Sequence, residues 1–297
     1  MDPDEFSRPF RPRWESPRTH DRSEVTLSVE RRSVLARGTV LAGGALLAEA
    51  SGFAVGASAS AATAAMRRPK IYTRADWGAR PPRRRAVLVN KRPEYVVVHH
   101  TASGNTKDYG LDRAFQLSRA IQAHHMKNNG WEDTGQHFTI SRGGHIMEGR
   151  NRTLRAINSG LHAIGAHVAN HNNRCVGIEN EGNYTRAMPP DELLESLAHL
   201  TAWLCEVYDL NPYRAIIGHR DLNSTGCPGR LHKILPLLRR EVAARLRRRS
   251  SVRHEHTLQM DVDMDLDWDE SGPPFRVQGP ASPFDHGPAI GPADITR

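Results

Sequence analysis

The chain of 297 residues is poor in three things, and each shortage removes a class of protein. It has only three cysteines, too few to hold a small fold together, which excludes a disulfide-built scaffold. It has no run of about 18 or more uninterrupted apolar residues, so no segment reads as a membrane-spanning helix. Acidic charge is scarce in its middle. The whole chain carries 41 Lys+Arg against 33 Asp+Glu, net +8. Residues 1–65 hold eight of each sign and residues 250–297 hold three basic and nine acidic, so residues 66–249 keep 30 basic against 16 acidic, net +14. A stretch of about 180 residues is enough for one domain with a core.

These breaks divide the chain into three parts. Residues 1–65 begin with a polar stretch rich in Arg, Pro, Asp and Glu, which is expected to be disordered. Arg31-Arg32 follow, then an apolar stretch from Gly38 to Ala48 and the small residues Ala57 to Ala65. Paired arginines, weak hydrophobicity and an Ala-x-Ala type end have the layout of a twin-arginine secretory signal. An Ala-rich disordered N-terminus or an uncleaved anchor is the plainer alternative, although Glu49 interrupts the apolar run. Residues 250–297 are expected to be a disordered tail: Asp261 to Glu270 alternate acidic and apolar residues in a run that repels itself, and Gly/Pro-rich sequence follows.

Residues 66–249 alternate strand and helix signals, which predicts a single α/β domain with a central mixed β-sheet flanked by helices. Tyr95 to Val98 is apolar on both faces, as a strand in the middle of a sheet must be. Leu111 to Lys127 sets Leu111, Phe115, Ile121 and His125 at helical spacing. Gln136–Ser141, Gly143-Gly144 and Ile146–Glu148 read as strand, turn and strand. Cys175–Glu181 is another strand, and Pro189-Pro190-Asp191 opens a helix with Leu193, Leu197, Leu200, Leu204 and Tyr208 along one side. Ala215–Ile217 is a short strand, and Leu231–Arg248 a basic helix.

His99 and His219 each stand at the end of a predicted strand, where a fixed backbone lets a ring project beyond the sheet. Cys227 follows His219 by eight residues. Two imidazoles and a thiolate are a ligand set for catalytic zinc, with the fourth position left for water. Spacing alone leaves open that these are buried, hydrogen-bonded side chains without a metal.

The segments around them carry more. Val96-Val97-Val98-His99-His100-Thr101-Ala102, Gly130-Trp131-Glu132-Asp133-Thr134-Gly135, Ala166-His167 with Asn172, Val176-Gly177-Ile178-Glu179-Asn180-Glu181-Gly182, and Gly218-His219-Arg220-Asp221 with Thr225-Gly226-Cys227-Pro228-Gly229 occur together and in order. In that combination they resemble the zinc amidases of the peptidoglycan recognition and phage-lysozyme amidase family, the N-acetylmuramoyl-L-alanine amidases, from about Ile71 to Arg245. The resemblance implies Zn2+ on His99, His219 and Cys227, in a groove at the sheet edge. It also implies cleavage of the amide between N-acetylmuramic acid and L-alanine of a peptidoglycan stem peptide.

By the same resemblance Glu179 is the expected proton carrier or, alternatively, a partner that orients a ligating histidine. Gln136 stands where catalytic members commonly have Tyr; its amide could donate to an oxyanion but cannot titrate. Thr225 stands where some relatives have Lys, and its hydroxyl could also donate. His167, Asn172 and Trp131 are expected at the substrate groove, against the plainer readings of a solvated loop histidine for His167 and a core tryptophan for Trp131. Strand alternation puts Glu181 on the face of Glu179. If Cys227 holds the metal, Cys175 and Cys205 remain and could form a disulfide if their Cα atoms come within about 7 Å.

The excess positive charge calls for an anionic partner. Export favours the cell wall, so the sequence points to a secreted, wall-associated monomer with peptidoglycan as substrate, no nucleic acid bound and no stable membrane insertion once the signal is removed. A non-catalytic peptidoglycan-binding protein of the same fold is the second reading, and a basic nucleic-acid binder, resting on charge alone, the third.

Overall fold

The computed structural model describes residues 66–251 and 283–295. The expected signal and the acidic run lie outside these residues. In chain order the main elements are β1 (Ile71–Tyr72), β2 (Leu88–Val89), β3 (Tyr95–His100), α1 (Leu111–Lys127), β4 (Phe138–Ile140), β5 (Ile146–Glu148), α2 (Thr153–Asn158), β6 (His162–Ala163), β7 (Cys175–Asn180), α3 (Asp191–Val207), α4 (Pro212–Ala215), β8 (Ile216–Gly218) and α5 (Leu235–Ser251). Six strands form one sheet in the order β1-β5-β4-β7-β3-β8, and β2 pairs with β6 separately. Only β4 and β5 run antiparallel within the large sheet, joined by the tight Gly143-Gly144 turn; its other pairs are parallel. The mixed α/β sheet expected from the sequence is therefore present.

Side-chain alternation gives the sheet two distinct faces. Val96 and Val98 of β3, Val176 and Ile178 of β7 and Ile216 of β8 join Leu193, Leu197, Leu200 and Leu204 of α3 and Leu235, Leu238 and Val242 of α5 in the main core. The intervening residues Val97 and Cys175 pack against Val168, with Ile217 at the margin, on the other face. Alternation continued by one step carries His99, Glu179 and His219 out on that second face. Apolar burial on the helix side thus fixes where the polar residues emerge.

Two expectations about packing are corrected. Cys175 and Cys205 are both free thiols. Cys175 belongs to the second face and Cys205 to the main core under α3, so the sheet lies between them. Burial raises both thiols to about 12, which keeps them protonated and unreactive. The buried side of α1 is also rotated from the expected stripe: Ala114, Leu117, Ser118, Ile121, Gln122 and His125 are buried, whereas Leu111 and Phe115 are only partly covered. The reason is polar. Gln122 donates to Asp133 Oδ1 at 2.8 Å and accepts from Arg80 N at 2.8 Å. Asp133, fully buried, also accepts from Asn151 N and Nδ2 at 2.9 Å and pairs with Arg74 at 3.1 Å. One satisfied carboxylate therefore ties together the loops that border the second face.

The expectation of a disordered tail through Arg297 is corrected for residues 283–295. They lie across the ends of β3, β7 and β8, with His286 only 7% exposed. Phe284 N donates to Thr101 O at 2.9 Å, and Ala169 N to Pro288 O at 3.1 Å.

Candidate metal centre

The site grows out of three adjacent parallel strands. In the β3–β7 register His99 stands opposite Glu179, and in the β3–β8 register Val98 stands opposite Gly218, so His219 follows directly beside His99. A short 3-10 turn, His219–Asp221, turns the chain away from the sheet. Asp221 accepts from Gly218 N at 2.7 Å and fixes that turn. The loop then brings Cys227 back under β3, where His100 N donates to its sulfur at 3.4 Å.

His99, His219, Cys227 and His286 each offer a ligand atom, and these four atoms lie within 4.8 Å of one another. All four residues are buried. Tetrahedral zinc with arms of about 2.0–2.3 Å separates its ligands by about 3.3–3.8 Å, so small ring rotations would close this set around an ion. Hydrogen bonding assigns the lone pairs. His219 Nε2 faces two acceptors, Asn223 Oδ1 and Pro288 O, both at 3.1 Å, so it carries the proton and leaves Nδ1, buried and unpartnered, as a ligand. His99 Nε2 lies 3.0 Å from His167 Nδ1, and its Nδ1 lies 3.7 Å from Cys227 Sγ. His167 Nε2 in turn donates to Cys175 O at 3.2 Å, which fixes the tautomer of the whole chain of rings.

Burial is the main cause that lowers the pKa values of these rings, assisted by neighbouring imidazoles. His167 and His219 fall to about 3, and His99 lies well below the ordinary range. Neutral imidazoles are what a metal ligand requires. His286 goes the other way: burial opposes protonation, but Cys227 and Glu179 outweigh it and raise its pKa well above the usual value. Three imidazoles and a thiol gathered beside a carboxylate are the donor set that a divalent ion takes up. The residues present therefore fit zinc.

Glu179 sits beside the cluster with Oε1 3.0 Å from His286 Nε2 and Oε2 buried without a partner. Glu181 is committed elsewhere, paired with Arg113 at 2.8 Å and accepting from Arg142 N at 2.9 Å. Thr225 donates through its hydroxyl to His286 O and accepts from Cys227 N at 3.1 Å. Asn172 accepts from His167 N at 2.7 Å and donates to Ala289 O at 2.8 Å, so it shapes the loop that carries His167. Trp131 leans on His125 with ring centroids 4.5 Å apart, at the rim of the pocket that holds Glu179 and His286. Gln136 donates to Thr139 Oγ1 at 2.9 Å, and no described contact joins it to the cluster.

Sequence reasoning missed three of these partners. Asn223 and the His99–His167 contact depend on tertiary geometry. His286 stood in a Gly/Pro-rich stretch without a periodic signal. Gly177, by contrast, carried a readable cue. It faces the site between Cys175 and Glu179, and a Cβ there would lie 2.5 Å from His167 Nδ1. Gly177→Ala is expected to push His167 off His99 and weaken zinc binding about 10- to 100-fold. Competition with a chromophoric chelator measures this, and unchanged affinity would show that His167 does not support the ligand.

Residues 89–230 match the family described as N-acetylmuramoyl-L-alanine amidase. A human N-acetylmuramoyl-L-alanine amidase is 35% identical over 163 residues, which cover 54% of this chain but 27% of that protein. Peptidoglycan-recognition protein SC2 of Drosophila melanogaster is 33% identical over 160 residues, 54% of this chain and 80% of that one. Among solved structures, wild-type Drosophila PGRP-LB is 30% identical with a TM-score of 0.49, covering 56% of this chain and 92% of that one. The chain thus spans about a quarter of the human relative's length and four fifths of the insect recognition protein. With the same ordered segments gathered around one buried His/Cys cluster, the chain belongs to the family of N-acetylmuramoyl-L-alanine amidases and peptidoglycan-recognition proteins.

Proposed function

We propose that residues 66–249 form a zinc-dependent amidase that cleaves the bond between the lactyl group of N-acetylmuramic acid and L-alanine. The observation that carries this reading is the convergence of His99, His219 and Cys227 beside a carboxylate, Glu179, that has one unpartnered buried oxygen. A zinc ion held there supplies Lewis acidity toward a carbonyl oxygen and makes water a nucleophile near neutral pH.

The remaining work falls to the chain itself. Glu179 takes a proton from the attacking water and returns it to the departing alanine nitrogen, a task suited to a carboxylate enclosed at the site. The Thr225 hydroxyl donates toward the carbonyl oxygen as negative charge develops on it. His167 holds His99 in the ligating tautomer, and Asn223 does the same for His219. Trp131 offers a flat apolar surface at the rim for a sugar ring, and Asn172 an amide for the peptide. The net +14 of this part of the chain suits adhesion to an anionic wall. The signal-like sequence before residue 66 supports secretion by twin-arginine export, and the protein acts on the wall as a monomer in this reading.

A non-catalytic peptidoglycan-binding protein is the second reading, favoured by Gln136, which cannot titrate and whose amide nitrogen donates to Thr139. Incubation of the zinc-loaded protein with purified sacculi separates the two. The amidase releases stem peptides with a free N-terminal alanine; binding to sacculi without release at saturating zinc, by the intact chain and by a His286→Ala variant alike, selects the binding protein.

A further inference from the structure

We infer that residues 283–295 are a built-in inhibitor: His286 takes the fourth ligand position and the segment fills the substrate groove, so the full chain is latent until the segment is displaced. The inference rests on the amidase reading of the same site.

A zinc ion with four protein ligands has no position for water, whereas hydrolytic zinc needs one open. His286 stands among the ligands supplied by the domain, its ring nitrogen within 4.8 Å of theirs. Its Nε2 donates to a carboxylate, Glu179 Oε1, at 3.0 Å, and its Nδ1 is buried without a hydrogen-bond partner, a nitrogen that gives up its proton when an ion binds. The carboxylate–imidazole pair is the arrangement by which proteins orient metal-bound histidines. It also occupies the proton carrier, so one residue blocks both the metal and the base.

The segment lies directly on the site. Its backbone carbonyls engage groups assigned to the transition state, the substrate and the metal. Thr225 donates to His286 O, Asn172 to Ala289 O at 2.8 Å, and His219 to Pro288 O at 3.1 Å. A stretch of peptide is thus seated on the groups assigned to a peptide substrate. The segment is anchored at both ends, by Phe284 N on Thr101 O and by the Asp294 carboxylate, which accepts from Asn170 N at 2.7 Å and Asn172 N at 3.3 Å.

Gly287 has φ +131°, and a Cβ there would lie 2.7 Å from Thr225 Oγ1 and 3.2 Å from His219 Cε1. Only glycine lets the chain pass over the metal cluster at this height. Pro283, Pro288 and Pro292 limit the conformations lost on docking. Because the segment is tethered to its own groove, modest contacts are enough to hold it there against a free competitor.

The test uses the full chain and two variants, His286→Ala and Gly287→Ala. The second leaves every ligand in place and strains only the docked segment. Loaded with Co(II), the wild type is expected to keep its visible thiolate–cobalt spectrum unchanged on adding azide, an anion that binds open metal positions. Both variants are expected to respond. With zinc, both are expected to release peptide from sacculi at least about tenfold faster than the wild type, the factor for a groove open in about a tenth of molecules. A wild-type cobalt site that binds azide as readily as the variants overturns the inference. Measurable peptide release at the same rate by all three overturns it as well. A cobalt difference without peptide release from any of them leaves the segment's role standing and removes the amidase reading instead.

Discussion

A chain carrying Cys227→Ala and His286→Ala together is expected to purify without stoichiometric zinc and to release no stem peptide above background. Both substitutions are needed for the metal effect. With Cys227 removed alone, His99, His219 and His286 still form a three-histidine set that can retain an ion, although activity is lost with the tail locked in place. Removing both leaves two imidazoles, and the sulfur that His100 N orients is gone. A ligand present at a hundredfold excess over its Kd stabilises the folded state by about 2.7 kcal/mol, which for a domain of this size is about 5–10 °C in Tm. The double variant is expected to lose that increment, and added zinc should no longer raise its melting temperature. Cys205→Ala serves as the control: that thiol lies in the core under α3, so its loss costs packing and leaves metal content unchanged. Full zinc content in the double variant, by elemental analysis, would remove the cluster from the account.

Glu179→Gln, made in the His286→Ala background, is expected to lower kcat by about 10²- to 10⁴-fold with zinc retained and KM little changed. The background matters because Glu179 performs two services that oppose each other. In the docked state it holds His286 by a hydrogen bond, so Glu179→Gln alone loosens the inhibitor while disabling the base. Once His286 is removed, only the proton transfer is read. Glutamine keeps the size and the hydrogen-bonding capacity of the side chain but cannot accept a proton, so a positioning role would survive the change and a base would not. An unchanged kcat in that background would assign Glu179 to orientation and leave the proton carrier elsewhere.

Much of this architecture could be read from the sequence because one physical pattern served two purposes. The side-chain alternation of β3, β7 and β8 places Val96, Val98, Val176, Ile178 and Ile216 against α3 and α5. The same period obliged His99, Glu179 and His219 to leave on the opposite face. The ligand loop to Cys227 was legible only because several flanking segments occurred together. What escaped was tertiary. Strand alternation does not say that Cys175 and Cys205 sit on opposite sides of the sheet unless the side covered by α3 is known. The buried edge of α1 was misjudged because Gln122 is covered for the sake of Asp133, and a polar residue at a core position breaks the apolar stripe.

The tail escaped for a different reason. Phe284 to Pro292 is too rich in Gly and Pro to show periodicity, and a segment stabilised by hydrogen bonds from a preformed groove leaves no pattern in its own sequence. Its signal was chemical and isolated: a histidine flanked by Asp285 and Gly287. In a chain of 16 histidines that carries no weight by itself. Only the geometry of His99, His219 and Cys227 gives His286 a meaning.

The central claim is hydrolysis of one amide at this His/Cys site, and the products test it most directly. Purified sacculi digested with zinc-loaded His286→Ala protein are to be analysed by mass spectrometry for new chain ends. The account predicts free alanine amino termini and lactyl carboxylates in equal amounts, neither of them appearing when Cys227→Ala is added. Intact lactyl–alanine linkages after digestion, with zinc bound and the segment displaced, would contradict it.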